Sequence, residues 1–318
     1  MEQINYGFKK SSIRRALHNK ISDWLKSITD ETLAEEMAKG IIVTGGAIPS
    51  MLLGEKVRDY DIYFKTIELA EKVANYYVNE FNLTTKQAIA DGAKPDAIPV
   101  TPEIRRTKVV NCKGEEEERI MIFIKSAGVA AESTSPYRYF EQLHPDKAEE
   151  FIDTLAKSKK DKRPYRPVFM SQNAITLSDG VQVIIRFFGD AAGIHRNFDY
   201  VHALSWYDYY NNHLELNQKS LECLLSRTLM YSGSLYPVAS IFRAKKFIER
   251  GWRISAGQLL KIMWQLSELK LSDPQTLHEQ LTGVDAHYMM QLVNALKDTD
   301  PDKITGAYVA ELIDRIFD

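Results

Sequence analysis

Apolar residues recur four apart at the start of the chain, at Ile13, Leu17, Ile21 and Leu25, and resume at Leu33 and Met37 before Gly40. This spacing, broken near Ser27 to Asp30, predicts two helices over residues 10 to 39. Ile41-Ile42-Val43 is a continuous apolar run and reads as a buried strand. Ile48 to Leu53 reads as a short helix, with Pro49 in its first turn and Gly54 just past its end. In the next strand Tyr60, Ile62 and Phe64 alternate with Asp59 and Asp61, so the two acids share one face. Glu68 to Phe81 is expected to be a helix packed on the sheet, whereas Thr84 to Pro102, rich in Ala, Asp, Gly and Pro, reads as irregular. Lys108-Val109-Val110 and Ile120 to Ile124 form the arms of an expected hairpin, with Glu115-Glu116-Glu117-Glu118 at its exposed tip. Ala148 to Lys157 reads as a helix, and Val168 to Leu177 with Val181 to Arg186 reads as a second hairpin around Ser178-Asp179-Gly180.

Downstream, Phe198 to Leu204 is expected to be a strand with Asp199 embedded in it. From Leu216 onward the pattern is helical: Leu221 to Leu229, a helix starting near Pro237, then Ala256 to Leu269, Asp273 to Leu281, His287 to Leu296 and Ile304 to Phe317. The predicted fold is α+β, a small mixed sheet with helices followed by a helical C-terminal domain. Its expected divisions are N-terminal helices at 1–40, a catalytic domain at 41–215 with a long insertion at about 84–166, and the helical domain at 216–318.

Composition narrows the class without naming a chemistry. The 318 residues are 44% hydrophobic and 26% charged, ordinary values for a globular protein with ample core. No apolar run approaches the ~18 residues of a membrane span, and Met1 to Asn5 lacks a signal peptide's apolar core, so a cytoplasmic location is expected. Cys112 and Cys223 are the only two cysteines and have no metal-ligand spacing, which argues against a disulfide framework and a zinc site. A formal net charge of −2 gives no global attraction to nucleic acid, so any RNA or DNA must use local patches. Lys157 to Arg166 is one such patch, and there Tyr165 is placed to stack on a base.

The chemistry concentrates in Thr44-Gly45-Gly46-Ala47-Ile48-Pro49-Ser50 and Arg58-Asp59-Tyr60-Asp61. A glycine pair after a buried strand lets the backbone approach a ligand, and the Gly46 amide with the Ser50 hydroxyl suits an anion such as a triphosphate. Two carboxylates on one strand face suit Mg²⁺. The order strand, Gly-Gly-x-x-x-Ser, short helix, Asp-x-Asp resembles the nucleotidyltransferase superfamily with the DNA polymerase β fold, which includes tRNA CCA-adding enzymes and antibiotic nucleotidyltransferases. Gln182 to Arg186, a spacer and Phe198-Asp199 are similar to the third-acid region of a branch found in bacteriophages and large viruses.

That resemblance implies Mg²⁺-dependent transfer of a nucleoside monophosphate from an NTP to an acceptor hydroxyl. It makes Asp59, Asp61 and Asp199 catalytic ligands of two Mg²⁺ ions, and places Gly45, Gly46 and Ser50 on the β and γ phosphates. The helix from Pro237 lines up Arg243, Lys246 and Arg250 at spacings of three and four, with Ile241, Phe242 and Phe247 toward a core. Similar basic helices follow the catalytic domain in the viral branch, which implies that Arg243 and Lys246 face the triphosphate. An RNA 3′ end such as that of tRNA is the favoured acceptor, with a protein or small molecule as alternatives. The base-selecting Glu-Asp-x-x-Arg of CCA-adding enzymes is absent, Ala239 to Arg243 standing in that neighbourhood, so the choice of NTP is open. His195 is placed near the site, His202 in a core or an interface, and no Ser-His-Asp pattern supports a hydrolase. The rival reading is a catalytically inactive nucleotidyltransferase fold that binds nucleic acid or a protein partner.

Overall fold

A computed structural model describes residues 7–90, 101–110, 116–125, 163–171 and 173–271, with isolated positions beyond. Helix α1, Lys10–Lys26, buries Ile13, Leu17 and Ile21 as its spacing predicts, but closes the stripe with Trp24 in place of the half-buried Leu25. Helix α2, Glu31–Gly40, begins where the Asp30 side chain accepts the Leu33 N–H at 2.9 Å. The chain then enters β1, Ile41–Thr44, a strand buried at every residue because it is paired on both edges. Helix α3, Ala47–Leu53, ends at Gly54, whose φ of 69° is a left-handed stop suited to glycine. Strand β2, Tyr60–Phe64, returns antiparallel to β1, and helix α4, Ile67–Ala90, follows it.

Strands β3, Thr101–Val110, and β4, Glu116–Lys125, form a separate two-stranded ribbon against α4. Beyond it lie β5, Pro167–Met170, β6, Ala174–Leu177, and β7, Val181–Phe188. A short helix α5, Ala191–His195, precedes β8, Trp206–Asp208, and β9, His213–Glu215. The sheet order is β5-β6-β7-β2-β1-β8-β9, antiparallel except between β2 and β7. Helix α6, Gln218–Ser226, strand β10, Thr228–Leu229, helix α7, Pro237–Glu249, strand β11, Arg253–Ile254, and helix α8, Ala256–Ser267, complete the described chain. The architecture is α+β, and no described helix is long and apolar enough to cross a membrane.

The two sheet faces differ. Ile41, Val43, Ile62, Phe64, Val181, Val183 and Ile185 join residues of α1, α2 and α4 in the main core. A bond from Trp24 Nε1 to the Tyr77 hydroxyl at 2.6 Å ties α1 to α4 inside it. The opposite face carries Ile42, Tyr63 and Ile194, with Ile184, Phe187, Phe198 and Trp206 against them. A second core gathers Tyr200, Val201, Leu224, Leu229, Tyr231 and Trp252 with Phe247 and Leu266.

Several expectations are corrected. The segment Phe198 to Leu204 is no strand: Tyr200 makes an isolated bridge to Tyr231, and Val201–Ala203 is a single 3₁₀ turn. Its apolar residues serve two clusters, Phe198 one and Tyr200 with Val201 the other, which mimics strand periodicity without a strand. Glu116, Glu117 and Glu118 are not a loop tip but pair with Val110, Val109 and Lys108, while Glu118 meets Arg106 at 2.7 Å and Glu117 meets Arg119. Arg106 across the ribbon and Arg119 on the same strand thus make an acidic strand tolerable.

The stretch expected as one strand from Val168 to Leu177 is split, because the Ser171 N–H and hydroxyl turn back on the Ala174 carbonyl. The helix expected to reach Leu229 stops at Ser226, where Arg227 takes φ 46°, and β10 pairs in parallel with β11, so the chain beyond Leu216 is not wholly helical. Helix α4 runs on to Ala90, further than Phe81, and Thr101 and Pro102 belong to β3. The helices expected at Ala148 to Lys157 and His287 to Leu296, and most of Asp273 to Leu281 and of Ile304 to Phe317, lie outside the described residues.

Candidate functional site

The carboxylate of Asp61 sits against the glycine pair. Gly45 has φ 95°, and a Cβ built on it would fall 2.4 Å from Asp61 Oδ2. The Gly46 N–H donates to the same carboxylate, whereas a Cβ on Gly46 would meet nothing within 4 Å, so the loop is tight on the acid and open on its other side. Asp59 is the residue before β2 and is exposed; its charge and, more strongly, the burial of Asp61 push Asp61 up to about 7, against the lowering effect of the Gly46 N–H. Two carboxylates and an approaching backbone therefore converge where the sequence places them. The turn Ser178-Asp179-Gly180 supports them from beside: with φ 68° at Gly180, a Cβ there would stand 3.0 Å from the Arg58 carbonyl oxygen.

Ser50 lies one turn beyond the loop, its N–H bonded to the Gly46 carbonyl at 3.1 Å. Thr44, fully buried at the end of β1, donates its hydroxyl to the Ser205 carbonyl at 2.9 Å. His195 Nε2 lies 2.9 Å from the same hydroxyl, and with that proton committed His195 must be the donor. His195 is thus beside the glycine loop, a neutral imidazole pulled down to about 4 by burial.

Asp199 and Arg243 are placed together. The Asp199 carboxylate is buried and meets Arg243 Nη1 at 2.5 Å, while its carbonyl accepts the Ser232 N–H at 2.8 Å. Tyr63, which sequence reasoning passed over, links this pair to the acids: burial chiefly raises its hydroxyl well above the ordinary range, Asp61 and Asp59 add to the rise, and Arg243 opposes it. Alternation along β2, which puts residue 63 on the face of 59 and 61, was the signal for it. On the parallel neighbour β7 the residue level with Asp61 is Gln182. Among the described residues no three His, Cys, Asp or Glu side chains form a metal cage.

Lys246 is exposed on α7, Arg250 is the residue that ends the helix, Phe242 is buried, and Ile241 is 43% exposed and so does not face a core as expected. Of the basic patch, 157–162 lie outside the described residues, Arg163 pairs with Glu80 at 3.1 Å, and Tyr165 is buried under Lys20, closed to the base stacking expected of it.

His202 is a core histidine, as expected from the sequence. Its ring lies 4.5 Å from Phe247 and 4.8 Å from Trp252, and its Nδ1 is buried without a hydrogen-bond partner. Burial pulls it from 6.5 to about 4, with Asp199 opposing. Between those values the unfolded chain takes up a proton that the native state refuses, so this contribution is complete above pH 6.5 and declines as pH falls toward 4. The loss should reach about 3 kcal/mol. Urea midpoints of His202→Phe should accordingly fall less than those of the wild type between neutral and mildly acid pH; equal pH dependence would show that the ring does not titrate this way.

The profile of one protein family, described as Gabija anti-defense 2 family protein, matches residues 15–227, two thirds of the chain and every strand of the main sheet. The chain belongs to the Gabija anti-defense 2 family. Asp59, Asp61, the glycine loop and Asp199 lie within the family match, and Arg243 and Lys246 lie beyond it. A relative, Gabija anti-defense 2 of Bacillus phage SPbetaL7, is 24% identical over 134 residues, 42% of this chain and 32% of its own length. The match therefore spans about a third of that relative. A solved structure, the Thermotoga maritima CCA-adding enzyme complexed with tRNA_CCA, aligns with 87% of this chain and 54% of its own at 12% identity and a TM-score of 0.36.

Proposed function

We propose that the protein transfers a nucleoside monophosphate from an NTP to an acceptor hydroxyl on a polymerase β-like site. The observation that carries this reading is the seat of Asp61 under Gly45, with the Gly46 N–H on its carboxylate and Asp59 beside it. The acceptor oxygen would bond to the α phosphorus as the bond to the bridging oxygen breaks, pyrophosphate leaving and the hydroxyl proton passing to a carboxylate or water. An anti-defense role is what the family name states, and nucleotide transfer is the chemistry through which this chain would serve it. The acceptor favoured by the reading is an RNA 3′ end such as that of tRNA.

The donor set fits Mg²⁺, which is commonly held by one or two carboxylates together with substrate phosphates. A cation would also offset the mutual repulsion of Asp59 and Asp61 that raises Asp61. When bound, Mg²⁺ would neutralise charge developing on the transferred phosphoryl group and on pyrophosphate. Asp59 and Asp61 would hold the ions, and Asp199 would join them on release from Arg243. Arg243, once released, would turn to the phosphates with Lys246, while Gly46 and Ser50 would orient the β and γ groups.

Incubation with Mg²⁺, each labelled NTP, and total RNA and protein tests the reading, since the labelled species names the acceptor. Mg²⁺ must also compete with the proton on Asp61, so Mg²⁺-dependent thermal stabilisation should grow as pH rises through about 7. A stabilisation flat across that range would remove Asp61 from the metal site. The Asp199–Arg243 pair and Gln182 opposite Asp61 favour one alternative, an inactive fold that binds nucleic acid or a protein. Nucleotide binding without labelled product would select it.

A further inference from the structure

The sheet register adds a third polar group to the two acids. Between β1 and β2, Val43 faces Ile62, and one residue further along the same register Thr44 comes level with Asp61. Thr44 and Asp61 share a face with Ile42 and Tyr63, which belong to one apolar cluster on that side of the sheet. Residues paired on one face have Cβ atoms about 4.5–5.5 Å apart, so the Thr44 hydroxyl is a direct neighbour of the Asp61 carboxylate. On the other side of Thr44, in β8, the residue level with it is Trp206. His195, the last residue of α5, is laid over Thr44 with Nε2 2.9 Å from the hydroxyl, and its ring centre is 5.2 Å from that of Phe198. The imidazole thus stands one side chain away from Asp61.

Which of its nitrogens is bare follows from the bonds beneath it. The Thr44 hydroxyl directs its one proton to the Ser205 carbonyl at 2.9 Å and the Ala203 carbonyl at 3.2 Å, so Nε2 carries the ring proton and Nδ1 carries none. The ring is half-buried, and burial keeps it neutral. Nδ1 bonds to no described residue and, unlike the sealed Nδ1 of His202, is not closed off from solvent. A neutral nitrogen that only accepts cannot bond to a triphosphate, whose oxygens are acceptors too; it takes a hydroxyl or an N–H. Beside carboxylates suited to metal-assisted phosphoryl transfer, the attacking hydroxyl carries such a proton. The transition state of that transfer is loose, so the hydroxyl keeps its proton until late and must meanwhile hold a lone pair toward phosphorus. An acceptor for the proton fixes that orientation.

We propose that His195 Nδ1 accepts a hydrogen bond from the attacking hydroxyl of the acceptor and orients it for transfer. This rests on the nucleotide-transfer reading above and names a further residue of that site. As the hydroxyl oxygen bonds to the α phosphorus, the bond to the bridging oxygen breaks, pyrophosphate leaves, and the proton then passes to a carboxylate or water. Two substitutions separate the nitrogens. His195→Gln keeps a donor near the place of Nε2 and loses the acceptor at Nδ1, whereas His195→Asn keeps an acceptor oxygen near Nδ1 and loses the donor to Thr44. The test is the initial rate of label transfer from each α-labelled NTP to total cellular RNA and protein, beside thermal stabilisation by Mg²⁺-NTP. His195→Gln should lose about tenfold in rate at saturating NTP, with the KM for NTP and the stabilisation unchanged, and His195→Asn should be several-fold faster than His195→Gln. A wild-type rate in His195→Gln, or a folded His195→Asn slower than His195→Gln, overturns the role and leaves His195 as a support for Thr44. A defect of His195→Gln confined to the KM for NTP and to Mg²⁺-NTP stabilisation also overturns it, in favour of a contact with the nucleotide. Both results leave the transfer reading standing, whereas absence of label transfer by the wild-type protein from every NTP defeats that reading and this role with it.

Discussion

Asp61→Asn should abolish nucleotide transfer and leave the folded protein as stable as the wild type or more so. The substitution keeps the volume of the side chain, and its amide oxygen can still accept the Gly46 N–H. What it removes is a charge that burial and Asp59 both disfavour, so native stability without metal should hold or rise. Chemistry loses more. A carboxylate that binds metal in the transition state contributes several kcal/mol, and about 1.4 kcal/mol is tenfold, so a fall of roughly a thousandfold or more is expected. The two measurements are labelled-product formation at saturating NTP and the urea midpoint without metal. Loss of activity with an equal loss of fold would make Asp61 merely structural, and retained turnover would remove the central claim.

The seat of this acid was legible because it uses local rules. An apolar run, two glycines and an alternating strand place Asp61 on the glycine side by backbone geometry alone, and those elements appear as β1, α3 and β2. Asp199 was harder, because its surroundings are assembled from distant segments. Its Arg243 partner is forty-four residues away, and the bonds holding its backbone come from Ser232, so apolar neighbours that look like a strand are instead shared between two clusters. Tyr165 misled for the opposite reason. Its basic neighbours suggest a solvated loop, but its backbone N–H bonds to Asp179 at 3.2 Å and its ring closes over Lys20, contacts no local pattern announces. The inserted ribbon shows the same limit: a run of glutamates reads as a loop tip until the cations of the facing strand are known.

Gly45→Ala should also damage activity severely, but by displacement, and should cost stability too. The backbone at φ 95° disfavours any side chain, a strain of about 1–2 kcal/mol. The new methyl would also fall 2.4 Å from Asp61 Oδ2 and 3.3 Å from its Cγ, so the carboxylate must leave its place or the loop must open. Either movement separates the Gly46 N–H from Asp61. With strain and displacement together, the urea midpoint should fall by the equivalent of about 2–4 kcal/mol, and transfer should drop at least a hundredfold in the protein that remains folded. Gly46→Ala is the control for the loop, because a Cβ there meets nothing within 4 Å and the residue sits at φ −72°, which alanine adopts freely. It should fold normally. If Gly45→Ala and Gly46→Ala prove equally stable and equally active, Gly45 is not the seat of the carboxylate and the loop and the acid act apart.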